Sequence, residues 1–246
     1  AQSLLLAQVR TEEKSNEITA IPQLLKLLSI AGGIVTIDAM GCQKDIAAAI
    51  RSGKADYVLA LKRNHGNLHH EVSALWDICQ QQDFAGRVHD YHESVGDQRR
   101  HAREERRRHW LIEVPEYLKA DTAGWQDLKT FAQVVRERRC GGKLACETHY
   151  YLSSLPLSAG AATLAEAVRA HWAVENRLHW SLDVSFAEDA CRVRKDHAPA
   201  NLAMIRRIAL TLLRQENTCR LGIKSKRRRA GWDEAYLAKV LKGQII

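Results

Sequence analysis

No two cysteines in this sequence form a C-x-x-C pair, and the six present, Cys42, Cys79, Cys140, Cys146, Cys191 and Cys219, follow no regular framework. A zinc knuckle or a disulfide scaffold is therefore not expected, and the usage suits a reducing cytoplasm. No stretch approaches the roughly 20 apolar residues that a membrane span requires. The opening Ala1-Gln2-Ser3-Leu4-Leu5-Leu6-Ala7 also lacks the basic flank and the length of a signal peptide. These absences point to a soluble cytoplasmic protein with no membrane partner. Internal repeats and low-complexity linkers are missing as well, so the 246 residues read as one large domain, or as one domain carrying an insertion. Acids are the scarcer charge, 29 Asp and Glu against 37 Lys and Arg. The net charge of +8 favours a polyanionic partner without identifying it.

What the chain does contain begins with alternating strand and helix patterns. Residues 3–9 read as a strand, although no methionine stands at position 1. Ile21-Pro22-Gln23-Leu24-Leu25-Lys26-Leu27-Leu28 carries proline near its first turn and apolar residues three and four apart, which predicts a helix ended by Gly32-Gly33. Ile34-Val35-Thr36-Ile37-Asp38 is a short β-branched run bounded by glycine and closed by a carboxylate. That is the pattern of a buried parallel strand delivering an acid to its C-terminal edge. The plainer reading makes Asp38 a cap or turn former before a helix over Gln43 to Ile50. A second strand, Tyr57 to Leu61, runs into Lys62-Arg63-Asn64-His65-Gly66 and then a helix to about residue 80. This order argues for the α/β class, with a parallel sheet flanked by helices and with Asp38 and the loop 62–65 on one ligand-binding edge.

From Arg87 to Leu155 the pattern becomes β-rich, and Cys140-Gly141-Gly142 marks a hairpin. The run Arg99-Arg100-His101-Ala102-Arg103-Glu104-Glu105-Arg106-Arg107-Arg108 either meets phosphates there or lies as a solvated strand. Helix resumes after Pro156, over Leu164 to Asp183 and again over Pro199 to Leu213, where Leu202, Ile205, Ile208, Ala209 and Leu212 form an expected core stripe. The basic cluster Lys224-Ser225-Lys226-Arg227-Arg228-Arg229 and a closing helix from Trp232 to Leu241 follow. The expected organisation is a first core segment over 1–86, a β-rich insertion over 87–155, and a helical second segment with a basic tail over 156–246.

Within the helix 164–183 lies His171-Trp172-Ala173-Val174-Glu175-Asn176-Arg177-Leu178-His179-Trp180. Residues four apart share a face of an α-helix, so His171, Glu175, His179 and Asp183 are expected to project together between Trp172 and Trp180. The alternative is an ordinary solvated face.

Three stretches together resemble the insertion-sequence transposases of the ISAs type, the group that includes the H-repeat-associated proteins. They are Glu13 to Pro22; Ile34-Val35-Thr36-Ile37-Asp38-Ala39-Met40-Gly41-Cys42-Gln43 with Ala55 to Lys62; and His171 to Trp180, continuing through Leu182-Asp183-Val184-Ser185-Phe186-Ala187-Glu188-Asp189. The resemblance implies a ribonuclease-H-like mixed sheet with flanking helices, interrupted by the β-rich insertion, and a triad of two Asp and one Glu holding two divalent ions, Mg²⁺ or Mn²⁺. Such ions take hard oxygen ligands, leave room for water and phosphate, and as a pair stabilise the attacking and leaving oxygens of DNA strand cleavage and transfer. Carried over by motif, Asp38 corresponds to the second Asp and Glu175 to the Glu, both catalytic and both metal ligands, with Asp183 a rival third carboxylate. Lys62, Asn64, His171, Arg177 and His179 become the expected DNA contacts. Double-stranded DNA, at transposon ends and target, is the implied partner, and a homo-oligomer stays open.

The family's first Asp lies on a strand upstream of Ala1, so the expectation is a truncated copy with its N-terminal strands and one ligand missing, inactive or impaired by itself. The broader transposase pattern also sets Tyr, Arg and Lys around the Glu at positions that here hold Val168, His171 and Leu182. Two readings of other classes stand beside this one. A non-catalytic DNA-binding remnant would use the basic insertion and the cluster Lys224 to Arg229, and would bind without metal. A zinc hydrolase would use His171, Glu175 and His179, but no further zinc ligand is identifiable.

Overall fold

Alternation along Tyr57-Val58-Leu59-Ala60-Leu61 sends successive side chains to opposite sides of a strand, and both sides are apolar, so this strand must be covered on two faces. The computed structural model describes residues 6–7, 9, 17–96 and 103–242, with the side chains of 17, 103 and 175–177 outside the description. In chain order its principal elements are α1 (Glu17–Leu27), β1 (Ile34–Ile37), α2 (Lys44–Ser52), β2 (Asp56–Leu61), α3 (Gly66–Gln81), β3 (His89–Val95), β4 (Arg103–Glu113), α4 (Lys119–Thr122), β5 (Thr130–Cys140), β6 (Lys143–Ser153), α5 (Gly160–Ala173), a π-helical turn (Val174–His179), α6 (Trp180–Phe186), α7 (Ala198–Gln215), α8 (Ile223–Trp232) and α9 (Glu234–Lys242). Of the strand expected over 3–9, Leu6, Ala7 and Val9 belong to no regular element, and the rest lies outside the described residues. Two compact units divide the chain: Thr11–His171, and Ala1–Arg10 with Trp172–Ile246.

The first unit is built on one sheet of order β1-β2-β6-β5-β4-β3. Only β1 and β2 run parallel, with Ile37 opposite Leu59, and every other neighbouring pair is antiparallel. The sheet is thus mixed rather than parallel, because β6 returns beside β2 with Leu152 opposite Leu59 and carries the hairpin strands into the same layer. Tyr57, Leu59 and Leu61 join Ile112, Phe131 and Leu152 on the face covered by Ile46 and Ile50 of α2 and by Val72, Leu75 and Trp76 of α3. Val58, Leu111, Ala132 and Val134 face the other way, onto Ala161, Leu164 and Val168 of α5. Each such fully buried aliphatic side chain contributes about 1.5–3 kcal/mol. Among the described residues β1 pairs only with β2, and it is half-buried rather than enclosed. Gly141 and Gly142, at φ of 55° and 78°, form the two-residue turn between β5 and β6 that the sequence predicts.

The second unit is helical. Leu213, Cys219, Tyr236 and Val240 form its buried core, with Phe186, Leu212, Ile223 and Ala230 packed around them. Lys226 is buried beneath α8, where its ammonium donates to the Leu213 carbonyl at 3.1 Å and to the Glu216 carbonyl and lies 3.6 Å from the Glu216 carboxylate. That carboxylate also accepts from the Tyr236 hydroxyl at 2.7 Å, the Thr218 amide at 2.6 Å and the Thr218 hydroxyl. Burial pushes the Glu216 carboxyl up, but these hydrogen bonds outweigh it and hold the group down at about 2. The stripe expected in the core of α7 holds in part, with Leu212 packed on that core and Leu202 and Ala209 half-buried, and is corrected at two positions. Ile205 and Ile208 are 60% and 52% exposed, and the buried positions are Leu210 and Leu213. The apolar arc of α7 is wide, and packing selects the side that meets α8 and α9. No described helix is long and apolar enough to cross a membrane.

Candidate nucleic-acid interface and carboxylate site

Asp38 follows the last residue of β1, at the C-terminal edge of the parallel pair, and is exposed. Its Oδ1 accepts the backbone N–H groups of Met40 at 3.1 Å and Gly41 at 3.4 Å. The turn former and the edge acid of the sequence reading are therefore the same carboxylate. One oxygen fixes the loop, and Oδ2 takes no hydrogen bond from a described residue. A Cβ on Gly41 would overlap the Ile37 side chain and approach Ile21 at 3.1 Å, so the chain doubles back against β1 there only because the residue is glycine.

The loop after β2 holds this turn from the other side. Asn64 donates its amide to the Ala39 carbonyl at 2.8 Å, and His65 Nε2 bonds the Cys42 carbonyl. The His65 ring in turn meets Trp125 edge-on, with ring centroids 5.4 Å apart. Cys42 is enclosed, and burial pushes its thiol up to about 12, which makes it a packing group rather than a nucleophile. Asn64, expected as a DNA contact, thus has its amide nitrogen committed to the Asp38 loop, while Lys62 and Arg63 beside it stay exposed.

Burial and the cations of this edge, Lys62 and Arg63, depress the imidazoles near them. Burial lowers His149, with Lys62 adding to the depression against the opposing pull of Glu147. Burial likewise lowers His69, reinforced by Arg63 and His70. Helix α3 starts immediately after the loop, without a side-chain cap and without an acid in its first turn, so its positive end adds to the same field. The arrangement ties the loop of one anchored carboxylate to the loop that carries the exposed cations Lys62 and Arg63. Sequence reasoning placed His65 on the edge loop without a role of its own, and gave no role to Gly41 or His149. Of these last two only Gly41 had a local signal, a glycine in the loop just after a strand.

The second unit carries the remaining expected residues. Glu175, Asn176 and Arg177 lie in the π-helical turn, and their side chains are outside the description. A π turn closes five-residue rather than four-residue hydrogen bonds, so the one-face register expected for His171, Glu175, His179 and Asp183 does not carry through it. His179 is exposed and Asp183, on α6, is half-buried; His171 belongs to the first unit and is also half-buried. Glu188, further along the same motif, is engaged by Arg207 at 3.2 Å and Arg206 at 3.8 Å. Among the described residues no group of three His, Cys, Asp or Glu is placed to hold a metal ion. By its chemistry, and by an Oδ2 that no described residue engages, Asp38 fits as one ligand, and the described residues do not supply a complete set.

A family model described as a transposase DDE domain matches residues 1–212. Among curated proteins, YbfL of Escherichia coli K12 is 39% identical over 98% of this chain and 63% of its own length. YhhI of the same strain, provisionally named an H repeat-associated transposase, matches at the same identity and coverage. YncI of Escherichia coli O157:H7, also provisionally named a transposase, is 39% identical over 97% of this chain and 60% of its own length. The chain therefore spans about three fifths of the length of these relatives.

Proposed function

We propose, from the premise that this chain belongs to the DDE transposase family, that it forms part of a protein that cleaves and transfers DNA strands at transposon ends. The family uses divalent metal ions and acts on DNA. In the proposed mechanism Asp38 and Glu175 would each give a carboxylate oxygen to Mg²⁺ or Mn²⁺, and the described residues do not complete the ligand set. The ions, when bound, supply charge for the attacking and leaving oxygens of the phosphodiester. The chain's own groups do the positioning. Asn64 and His65 hold the loop 39–42 so that Asp38 Oδ2 stays presented at the sheet edge. Lys62 and Arg63 neutralise the DNA backbone beside it, and Arg177 and His179 are proposed to do the same from the second unit.

The observation that carries this reading is the anchoring of Asp38, whose Oδ1 is held by two amides while Oδ2 takes no hydrogen bond from a described residue. Metal-dependent nicking of supercoiled plasmid, in this chain and in a full-length protein that contains it, is the test. Removing a partner of a ligand costs about 10–100-fold. Asp38→Ala and Glu175→Ala should each exceed that loss wherever nicking is seen. Nicking that survives both substitutions would remove these carboxylates from the mechanism. DNA binding without nicking in either protein would leave the non-catalytic reading standing.

A further inference from the structure

The fold sorts the two basic runs that the sequence offers to a polyanion. Along β4 and β5, Arg106 pairs with Glu93 at 3.2 Å, Arg108 with Glu137, and Arg136 with Glu105 at 2.9 Å and Glu147 at 3.5 Å. The described part of that run is a cross-strand ladder that largely neutralises itself. Helix α8 differs, because its ten residues include no acid. Lys226 turns inward onto Glu216, and Arg229 pairs with Asp233 at 3.1 Å while lying 4.5 Å over the Tyr236 ring. Lys224, Arg227 and Arg228 are left exposed. At 3.6 residues per turn these three and Trp232 fall within an arc of about 140°, opposite Lys226.

Two further features distinguish this face from a merely solvated one. Arg227 rests 5.4 Å over the Phe186 ring, an attraction that orders the side chain without cancelling its charge. Lys224 stands in the first turn, where the helix dipole disfavours a cation, and no acid of that turn offsets it. Its charge is thus unexplained by local stability. Trp232, 73% exposed, ends the same face with a flat apolar ring.

We infer that this face of α8 is a docking surface for the phosphate backbone of double-stranded DNA, with Lys224, Arg227 and Arg228 as its cations and Trp232 at its margin. The inference rests on the reading of DNA as the partner. It assigns the contact to α8 and withholds it from the arginine-rich strand β4. Such contacts position the protein without reading bases, so the binding is indifferent to sequence.

The test is fluorescence anisotropy of the full chain with short labelled duplexes of unrelated sequence, titrated between about 50 and 200 mM salt. Lys224→Gln with Arg228→Gln should weaken binding severalfold on every duplex and shrink the slope of log affinity against log salt by roughly 0.9 for each cation removed. Arg106→Gln with Arg108→Gln removes the same net charge and should change the slope by less than half as much. Circular dichroism melts of both double variants show whether the fold is kept. If either fails to fold, the charge-neutral Trp232→Phe variant, read as loss of the DNA-induced change in tryptophan emission, replaces it. Equal losses in the two double variants would mean that binding follows net charge alone, and the assignment to α8 would fall. Binding untouched by the α8 substitutions overturns the placement but not the DNA reading. No binding by the unsubstituted chain overturns both.

Discussion

Gly41 sits where the chain reverses after delivering Asp38, against the side chain of Ile37 in the strand it has just left. Any Cβ there forces Ile37 or the loop to move, and overpacking of this kind costs about 1–3 kcal/mol. Gly41→Ala is expected to lower the urea midpoint by a corresponding amount and to loosen the hold of Asp38 on the Met40 and Gly41 amides. An unchanged midpoint would show that the turn has slack which the described geometry does not contain. At this scale the sequence was legible in part. Asp38 could be placed at a strand end because a β-branched run bounded by glycine is a local pattern. The grip of Asn64 on Ala39 spans 25 residues, and no local pattern records it.

Helix α7 shows what a periodicity can and cannot determine. Its spacing fixes a helix with a broad apolar arc, and either border of that arc could have been buried. The structure buries Leu210 and Leu213 and leaves Met204, Ile205 and Ile208 half or more exposed. Leu213→Ala should therefore cost about 2–5 kcal/mol, the usual range for emptying a core position. Ile205→Ser and Ile208→Ser should each stay within about 0.5 kcal/mol, as exposed substitutions do. Chemical denaturation of the three variants separates the two outcomes, and a reversed ranking would restore the stripe that the sequence suggests. The same lesson applies to the histidine and glutamate face at 171–183, where counting by four presumes an α-helix and the chain forms a π turn.

For the whole molecule, two titrating groups report on the two units separately. Burial pushes His109 of β4 down to about 4 from its ordinary 6.5, so the unfolded chain takes up a proton first as pH falls. Its contribution to stability is complete above 6.5 and is lost as pH falls from 6.5 towards 4. Glu216, held at about 2 against an ordinary 4.5, contributes above 4.5 and is lost as pH falls from 4.5 towards 2. Acid should therefore weaken the sheet unit before the helical unit. Melting temperatures across this range should fall in two windows, His109→Gln flattening the upper and Glu216→Gln the lower. A single window insensitive to His109→Gln would show that this imidazole is solvated.

The sequence alone determined the α/β class, most of the strand and helix positions, the β5–β6 hairpin and the family, because each rests on residues adjacent in the chain or on short motifs. The tertiary structure decided that the β-rich stretch joins the sheet of β1 and β2, since strand pairing depends on which edge is open. It also decided which cations are available. Arg106, Arg108 and Arg136 meet carboxylates on neighbouring strands, Lys226 is drawn into the core by Glu216, and Lys224, Arg227 and Arg228 are left facing solvent. A charge count cannot separate these fates, because an ion pair is made by distance in space and the distances exist only once the chain has folded.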